Sequence, residues 1–185
     1  MVNIKDIDSS IQVELLYATE HNFTKEKLYP VSVCLLQKNT AKKLAAAQAQ
    51  FLAYGLGLKV WDAYRPLKIQ KRLWEAKPDP GYVTPPFLGS NHNRAAAVDL
   101  TLIDSKGKEL LMPSGFDEFS PKAARNNRMS EKATKNLDCL TRVMAKNGFE
   151  PVEGEWWHFN DTDAGVYPLL DIALKDFKSR HVCPQ

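Results

Sequence analysis

The spacing of apolar residues along the chain divides it into a short series of helices and strands. Ala45, Ala46, Phe51 and Leu52 lie in a stretch that predicts a helix, capped by Asn39 or Thr40 and stopped by Gly55. Leu58-Lys-Val-Trp-Asp-Ala-Tyr64 is short and rich in β-formers, and reads as a strand. Pro66 suits the first turn of a following helix through Ile69, Leu73 and Trp74, which ends at the turn-rich Lys77-Pro-Asp-Pro-Gly81. A second strand is expected over Ala97-Val-Asp-Leu-Thr-Leu-Ile103, then a turn at Asp104-Ser-Lys-Gly107. Ser130 can cap a helix carrying Ala133, Leu137, Leu140 and Met144 at helical spacing, closed by Gly148. Residues 149–152 and 155–160 predict a hairpin across Glu153-Gly154, and a last helix is expected around residues 169–177. Helices and short strands without regular βαβ alternation indicate an α+β fold, a mainly antiparallel central sheet flanked by helices.

Composition narrows the class. A chain of 185 residues can bury one good core, so a single domain over 1–185 is expected. The formal charge of +3 is small and no Lys/Arg run interleaves with aromatics, which argues against a nucleic-acid partner. The apolar stretch from Leu44 to Leu58 is broken by Gln48, Gln50 and Gly55, so no membrane span is expected. The start, Met-Val-Asn-Ile-Lys-Asp-Ile-Asp, lacks the pattern of a secretory signal. Cytoplasm is the expected location, or periplasm if a leader has been removed. Cys34, Cys139 and Cys183 show no CxxC spacing; Cys34 and Cys139 sit among apolar residues and read as buried thiols. Oligomeric state is left open.

The candidate chemistry lies in two segments, Ser90-Asn-His92-Asn-Arg-Ala-Ala-Ala-Val-Asp99 and Glu155-Trp-Trp-His158-Phe. Taken singly, each His reads as a packed histidine and each acid as a solvated carboxylate. Taken together, two imidazoles and a carboxylate (His92, Asp99 and His158) form a three-ligand set that leaves a fourth zinc position for water. Glu155 is then free to take a proton from that water, so the set points to a zinc hydrolase with its metal in a cleft. Spacing adds a constraint. Seven residues of extended strand would separate the α-carbons of His92 and Asp99 by roughly 23 Å, too far for one ion. His92 is therefore expected in a loop and Asp99 on the strand, with Asn93-Arg94-Ala95 supplying the turn. Glu155 and His158 face opposite ways on a regular strand, and a bend at Gly154 would bring Glu155 round.

Ser-x-His-x6-Asp followed by Glu-Trp-Trp-His resembles the zinc D-alanyl-D-alanine dipeptidases, a branch of the peptidases that also include D,D-carboxypeptidases. The similarity extends to Tyr17-Ala-Thr, Asn22-Phe-Thr24, Trp61-Asp-Ala-Tyr-Arg65-Pro, Phe116-Asp117, Asn126 to Arg128, and Gly148-Phe149. The resemblance implies one zinc ion per chain on His92, Asp99 and His158, Glu155 as catalytic base and Arg65 stabilising the transition state. It also implies a small dipeptide substrate with Ser90 near its amino end. One position departs from the pattern: Ala95 stands where the family usually has Gly. A left-handed Ala costs roughly 1–2 kcal/mol, so either this strain or a different loop path is expected. Of Trp156 and Trp157, one is expected to face the core and the other the cleft. Two rival readings stay open: a D,D-carboxypeptidase acting on longer wall peptides, and a zinc-bearing binding domain without catalysis.

Overall fold

A computed structural model describes residues 1–177. In chain order the elements are β1 (Val2–Asn3), α1 (Ile4–Ile7), β2 (Gln12–Val13), β3 (Leu35–Leu36), α2 (Lys38–Ala53), β4 (Leu56–Asp62) and α3 (Leu67–Ala76). They continue with β5 (Ala97–Asp104), α4 (Glu131–Lys146), β6 (Phe149–Val152) and β7 (Glu155–Asp161), with short 3-10 turns between. A five-stranded sheet has the order β2-β4-β5-β7-β6, and β1 pairs with β3 in a separate two-stranded ribbon. Among the described residues only the β2–β4 pair is parallel. The α+β class and the mainly antiparallel sheet agree with the sequence. No helix among the described residues is long and apolar enough to cross a membrane.

Helices α2 and α4 pack on each other and on the sheet. Along β5, Val98, Leu100 and Leu102 belong to the core and alternate with Asp99 and Thr101, which the period-2 strand sends to the other face. Buried Leu44, Phe51, Leu140 and Met144 supply the helical side of the core. Gly55 (φ 72°) and Gly148 (φ 81°) close α2 and α4 in the left-handed region, as the helix-stop pattern predicts. Ser130 caps α4 through its hydroxyl, which accepts from the Ala133 N–H.

Several boundaries differ from expectation, each for a tertiary reason. Helix α2 begins at Lys38 without a side-chain cap; Thr40 is fully buried inside it and donates its hydroxyl to Asp161 at the end of β7. Lys43 binds the same carboxylate, so the helix is tied to the strand that carries His158. Strand β4 ends at Asp62, leaving Ala63 to Arg65 outside the sheet, and Pro66 precedes α3 rather than lying in its first turn. No helix forms over residues 169–177 beyond a turn at Leu174–Asp176. This segment is strapped instead against the turn that carries His92 and against Tyr64: Leu170 N–H donates to Asn93 O, and the Tyr64 hydroxyl both donates to Ile172 O and accepts from its N–H. Asp171 caps the start of α3 by accepting from Lys68 N–H. Cys34 is buried as expected, and burial raises its thiol pKa; Cys139, at the margin of the α4 stripe, is only half-buried, and Cys183 lies outside the described residues.

Replacing Thr40 with Val keeps the shape but removes a donor from the fully buried Asp161. A loss of about 1–3 kcal/mol is expected. Urea denaturation of the two proteins measures it; equal midpoints would show that the Thr40–Asp161 bond is not a tie between α2 and β7.

Candidate active site

The site forms where three backbone features meet. First, Ser90 caps a 3-10 turn over Asn91–Arg94: its hydroxyl accepts from His92 N–H (3.2 Å), while the Asn93 side chain accepts from Ser90 N–H (2.7 Å). Ala95 closes the turn at φ 56°, ψ 35°, fully buried, so the chain keeps the left-handed turn and Ala bears its strain. This reversal brings His92 back over β5, with His92 in the turn and Asp99 on the strand, as the spacing requires. Second, β5 and β7 place Asp99 directly opposite His158. Third, the β6–β7 hairpin loses register: Pro151 lies opposite Phe159, but Val152 lies opposite Glu155. This bulge, rather than a bend at Gly154, lets Glu155 and His158 share one side.

Three donor atoms converge there. His92 Nε2 lies 3.2 Å from His158 Nδ1 and 3.3 Å from Asp99 Oδ2, and His158 Nδ1 lies 3.0 Å from Asp99 Oδ1. The outer nitrogen of each ring is engaged by an oxygen that can only accept: His92 Nδ1 faces the Ala63 carbonyl (2.7 Å) and His158 Nε2 the Asn160 side-chain oxygen (2.9 Å). With those protons on the outer nitrogens, both inner nitrogens point lone pairs at each other and at a carboxylate. Burial raises the Asp99 pKa, whereas the charge and hydrogen bonds of the two facing rings, when these are protonated, hold it well below the usual carboxylate range. Three electron-rich atoms so close repel unless a cation lies among them. Two imidazoles and one carboxylate are an accepted catalytic zinc set, with a fourth position left for water.

The surrounding charges are unevenly distributed. Arg65 is buried and donates to Asp62 through Nε (3.0 Å) and Nη2 (2.7 Å), and to Gln70 through Nη1 (2.9 Å). Burial opposes its charge, but Asp62 and the neighbouring phenols and Asp99 keep its pKa above the ordinary value. Its Nη2 also reaches to 3.8 Å from Asp99 Oδ2. Glu155 Oε2 stands 3.9 Å from His158 Nδ1, beside the donor set and not within it. Burial pushes Glu155 up to about 7, with Asp99 and Asp117 adding and His158 and Arg65 opposing; a bound cation would pull it down again.

Arg65, Ser90, His92, Asp99, Glu155 and His158 all line one small cavity of about 40 Å³. Every site residue named from the sequence is therefore in one place. Asp117 and Tyr17 also line it, and neither had a role assigned from sequence. Asp117 lines the cavity with a backbone φ of 54° and accepts a hydrogen bond from the buried Tyr17 hydroxyl (2.8 Å). Burial pushes Asp117 up to about 8, Asp99 and Asp62 adding, the Tyr17 bond and Arg65 opposing. A non-glycine residue held at positive φ beside a site was the missing signal, and a sequence does not display φ. Both tryptophans are buried; Trp157 lines the cavity, whereas Trp156 packs on Trp61 and donates to Ser114.

Comparison with known proteins follows this geometry. The family model described as peptidase M15, D-ala-D-ala dipeptidase, matches residues 1–180. A D-alanyl-D-alanine dipeptidase of Escherichia coli (strain K12) is 39% identical over 180 residues, covering 97% of this chain and 93% of that protein. One from Enterococcus faecalis (strain ATCC 700802 / V583) is 30% identical over 169 residues, covering 80% and 84%. Among solved structures, the LdcB LD-carboxypeptidase aligns with a TM-score of 0.48 at 19% identity, over 78% of this chain and 68% of that one.

Asp62→Asn should strand the buried Arg65 charge. Breaking such a pair by removing one partner costs about 3–5 kcal/mol. Thermal and urea unfolding test this; a change below 1 kcal/mol, on the scale of a surface ion pair, would mean that Arg65 is compensated by other groups.

Proposed function

The chain belongs to the M15 family of D-Ala-D-Ala dipeptidases and is a peptidase, and on that premise we propose that it hydrolyses D-alanyl-D-alanine to free D-alanine with one zinc ion per chain. His92, Asp99 and His158 would hold the ion, Glu155 would act as base, and Arg65 would stabilise the developing oxyanion. The observation that carries the reading is the convergence of three lone-pair donors beside an unliganded carboxylate in a small buried cavity. When bound, zinc supplies Lewis acidity and lowers the pKa of a coordinated water towards ~7.

The remaining roles follow from this chain's own groups. Glu155 takes the proton of the attacking water and delivers it to the departing amine, from a place beside the donor set and not within it. Arg65 is fixed by Asp62 and Gln70 and remains cationic, so its guanidinium needs no reorganisation as negative charge grows on the carbonyl oxygen. Asp117 is a half-buried acid without a cationic partner at bonding distance among the described residues, and a substrate ammonium would supply that charge. Ser90 lines the same cavity, and its hydroxyl keeps a hydrogen to donate after accepting from His92 N–H; we place it near the amino end too.

The cavity's size favours a small substrate. Tyr82, Val83 and Thr84 from the loop after α3 and Trp157 from β7 wall it closely. One observation favours the carboxypeptidase reading instead. A second cleft of about 290 Å³ shares Ser90, Glu155 and His158 and opens past Asn91 and Gly154, so it offers room for an extension of the substrate.

Glu155→Gln should keep its zinc and lose about 10²–10⁴-fold in kcat, whereas His158→Ala should lose the metal itself. Atomic absorption with a D-alanine release assay separates these effects, and near-normal turnover by Glu155→Gln would remove that residue from the reaction. The second test compares D-Ala-D-Ala with a pentapeptide ending in it. Dipeptide cleavage should dominate by at least tenfold in kcat/KM and vanish with chelator; faster release from the pentapeptide would establish the carboxypeptidase reading.

A further inference from the structure

The hairpin bulge that sets Glu155 beside His158 leaves a gap in the sheet. Residues 156–158 of β7 have no partner residues on β6, because pairing passes from Pro151–Phe159 directly to Val152–Glu155. A β-ladder interrupted in a buried place must find other donors for its carbonyls. Arg125 fills this gap from the loop before α4. Its Nε donates to Val152 O (2.9 Å), and its Nη2 to Trp156 O (2.6 Å) and His158 O (3.3 Å). Thr141 of α4 accepts from Nη1 (2.8 Å), and the guanidinium lies 4.5 Å from the Phe159 ring centroid. Arg125 N–H donates to Glu153 O, completing a wrap around both ends of the bulge. The side chain is thus committed to main-chain oxygens on both sides of the turn.

We infer that Arg125 is a positioning residue, whose guanidinium replaces the missing β6 donors and fixes the bulged backbone from which Glu155 and His158 project. This rests on the proposed roles of those two residues. Lys cannot reproduce the planar fork that reaches three carbonyls at once. Burial pulls the pKa of Arg125 down to about 10, with Glu153 opposing, so the group stays charged at neutral pH.

The test uses full-length Arg125→Lys and Arg125→Ala proteins, loaded with zinc for kinetics and with cobalt for visible spectroscopy. Displacing a catalytic group by about 1 Å can cost 10²-fold, and losing an outer partner of a metal ligand 10–100-fold in metal affinity or activity. Both variants should lose 10–100-fold in kcat with KM within about threefold, and their cobalt bands should shift. Added guanidinium ion should recover part of the loss in Arg125→Ala. If Arg125→Ala does not fold, Arg125→Lys alone decides. Parental kcat and an unchanged cobalt spectrum in a folded variant would overturn the assignment. The cobalt spectrum reads ligand geometry without turnover, so an inactive parent protein would count against the proposed reaction, while a spectral shift would still support the positioning role.

Discussion

His92 Nε2, His158 Nδ1 and the Asp99 carboxylate are held within 3.0–3.3 Å of one another in a largely buried place. Electron-rich atoms do not choose such proximity, and a backbone must hold them against repulsion. Three devices share the task. The left-handed Ala95 folds the His92 turn back over β5, the β5–β7 ladder fixes Asp99 opposite His158, and acceptors at Ala63 and Asn160 orient the two rings. The close packing of all three leaves little room for the donors to relax apart, which is the preorganisation a metal site requires.

Around this triangle, charge is apportioned by partner. Asp62 is fully buried and is occupied by Arg65, Tyr29 and the Ala63 N–H. It therefore acts as the fixed counter-ion of Arg65 and is unavailable for proton transfer. Among the described residues neither Glu155 nor Asp117 has a Lys or Arg at ion-pair distance, and burial raises both. On the proposed reading, carboxylates thus serve as anchor, metal donor, base and substrate-facing acid, and the environment of each decides which.

The bulk of the fold maintains these distances. Thr40 and Lys43 tie α2 to Asp161 at the end of β7, and the strap at residues 170–172 holds the His92 turn and Tyr64 from the opposite side. Aromatic contacts among Trp61, Phe116, Trp156 and Trp157 form a stiff layer beside the cavity. A site of this kind depends on sub-ångström placement, and a densely packed surround is the means of supplying it.

The sequence by itself determined much of this. Periodicity located α2, β4, α3, β5, α4 and the β6–β7 hairpin, because each buries one face and its apolar pattern records that face. The spacing of His92 and Asp99 required a reversal between them, since chain reach is fixed by covalent geometry. What only the tertiary structure decided were matters of partnership. Thr40 left its expected cap for Asp161, residues 169–177 became an extended strap because the His92 turn and Tyr64 offered bonds to their backbone, and a register shift rather than Gly154 turned Glu155. The roles proposed for Asp117 and Arg125 belong here too, because they depend on a backbone angle and on carbonyls left without ladder partners far along the chain. Local pattern encodes which face is apolar; it does not encode which distant polar group will complete a hydrogen bond, since that is fixed only when the segments meet.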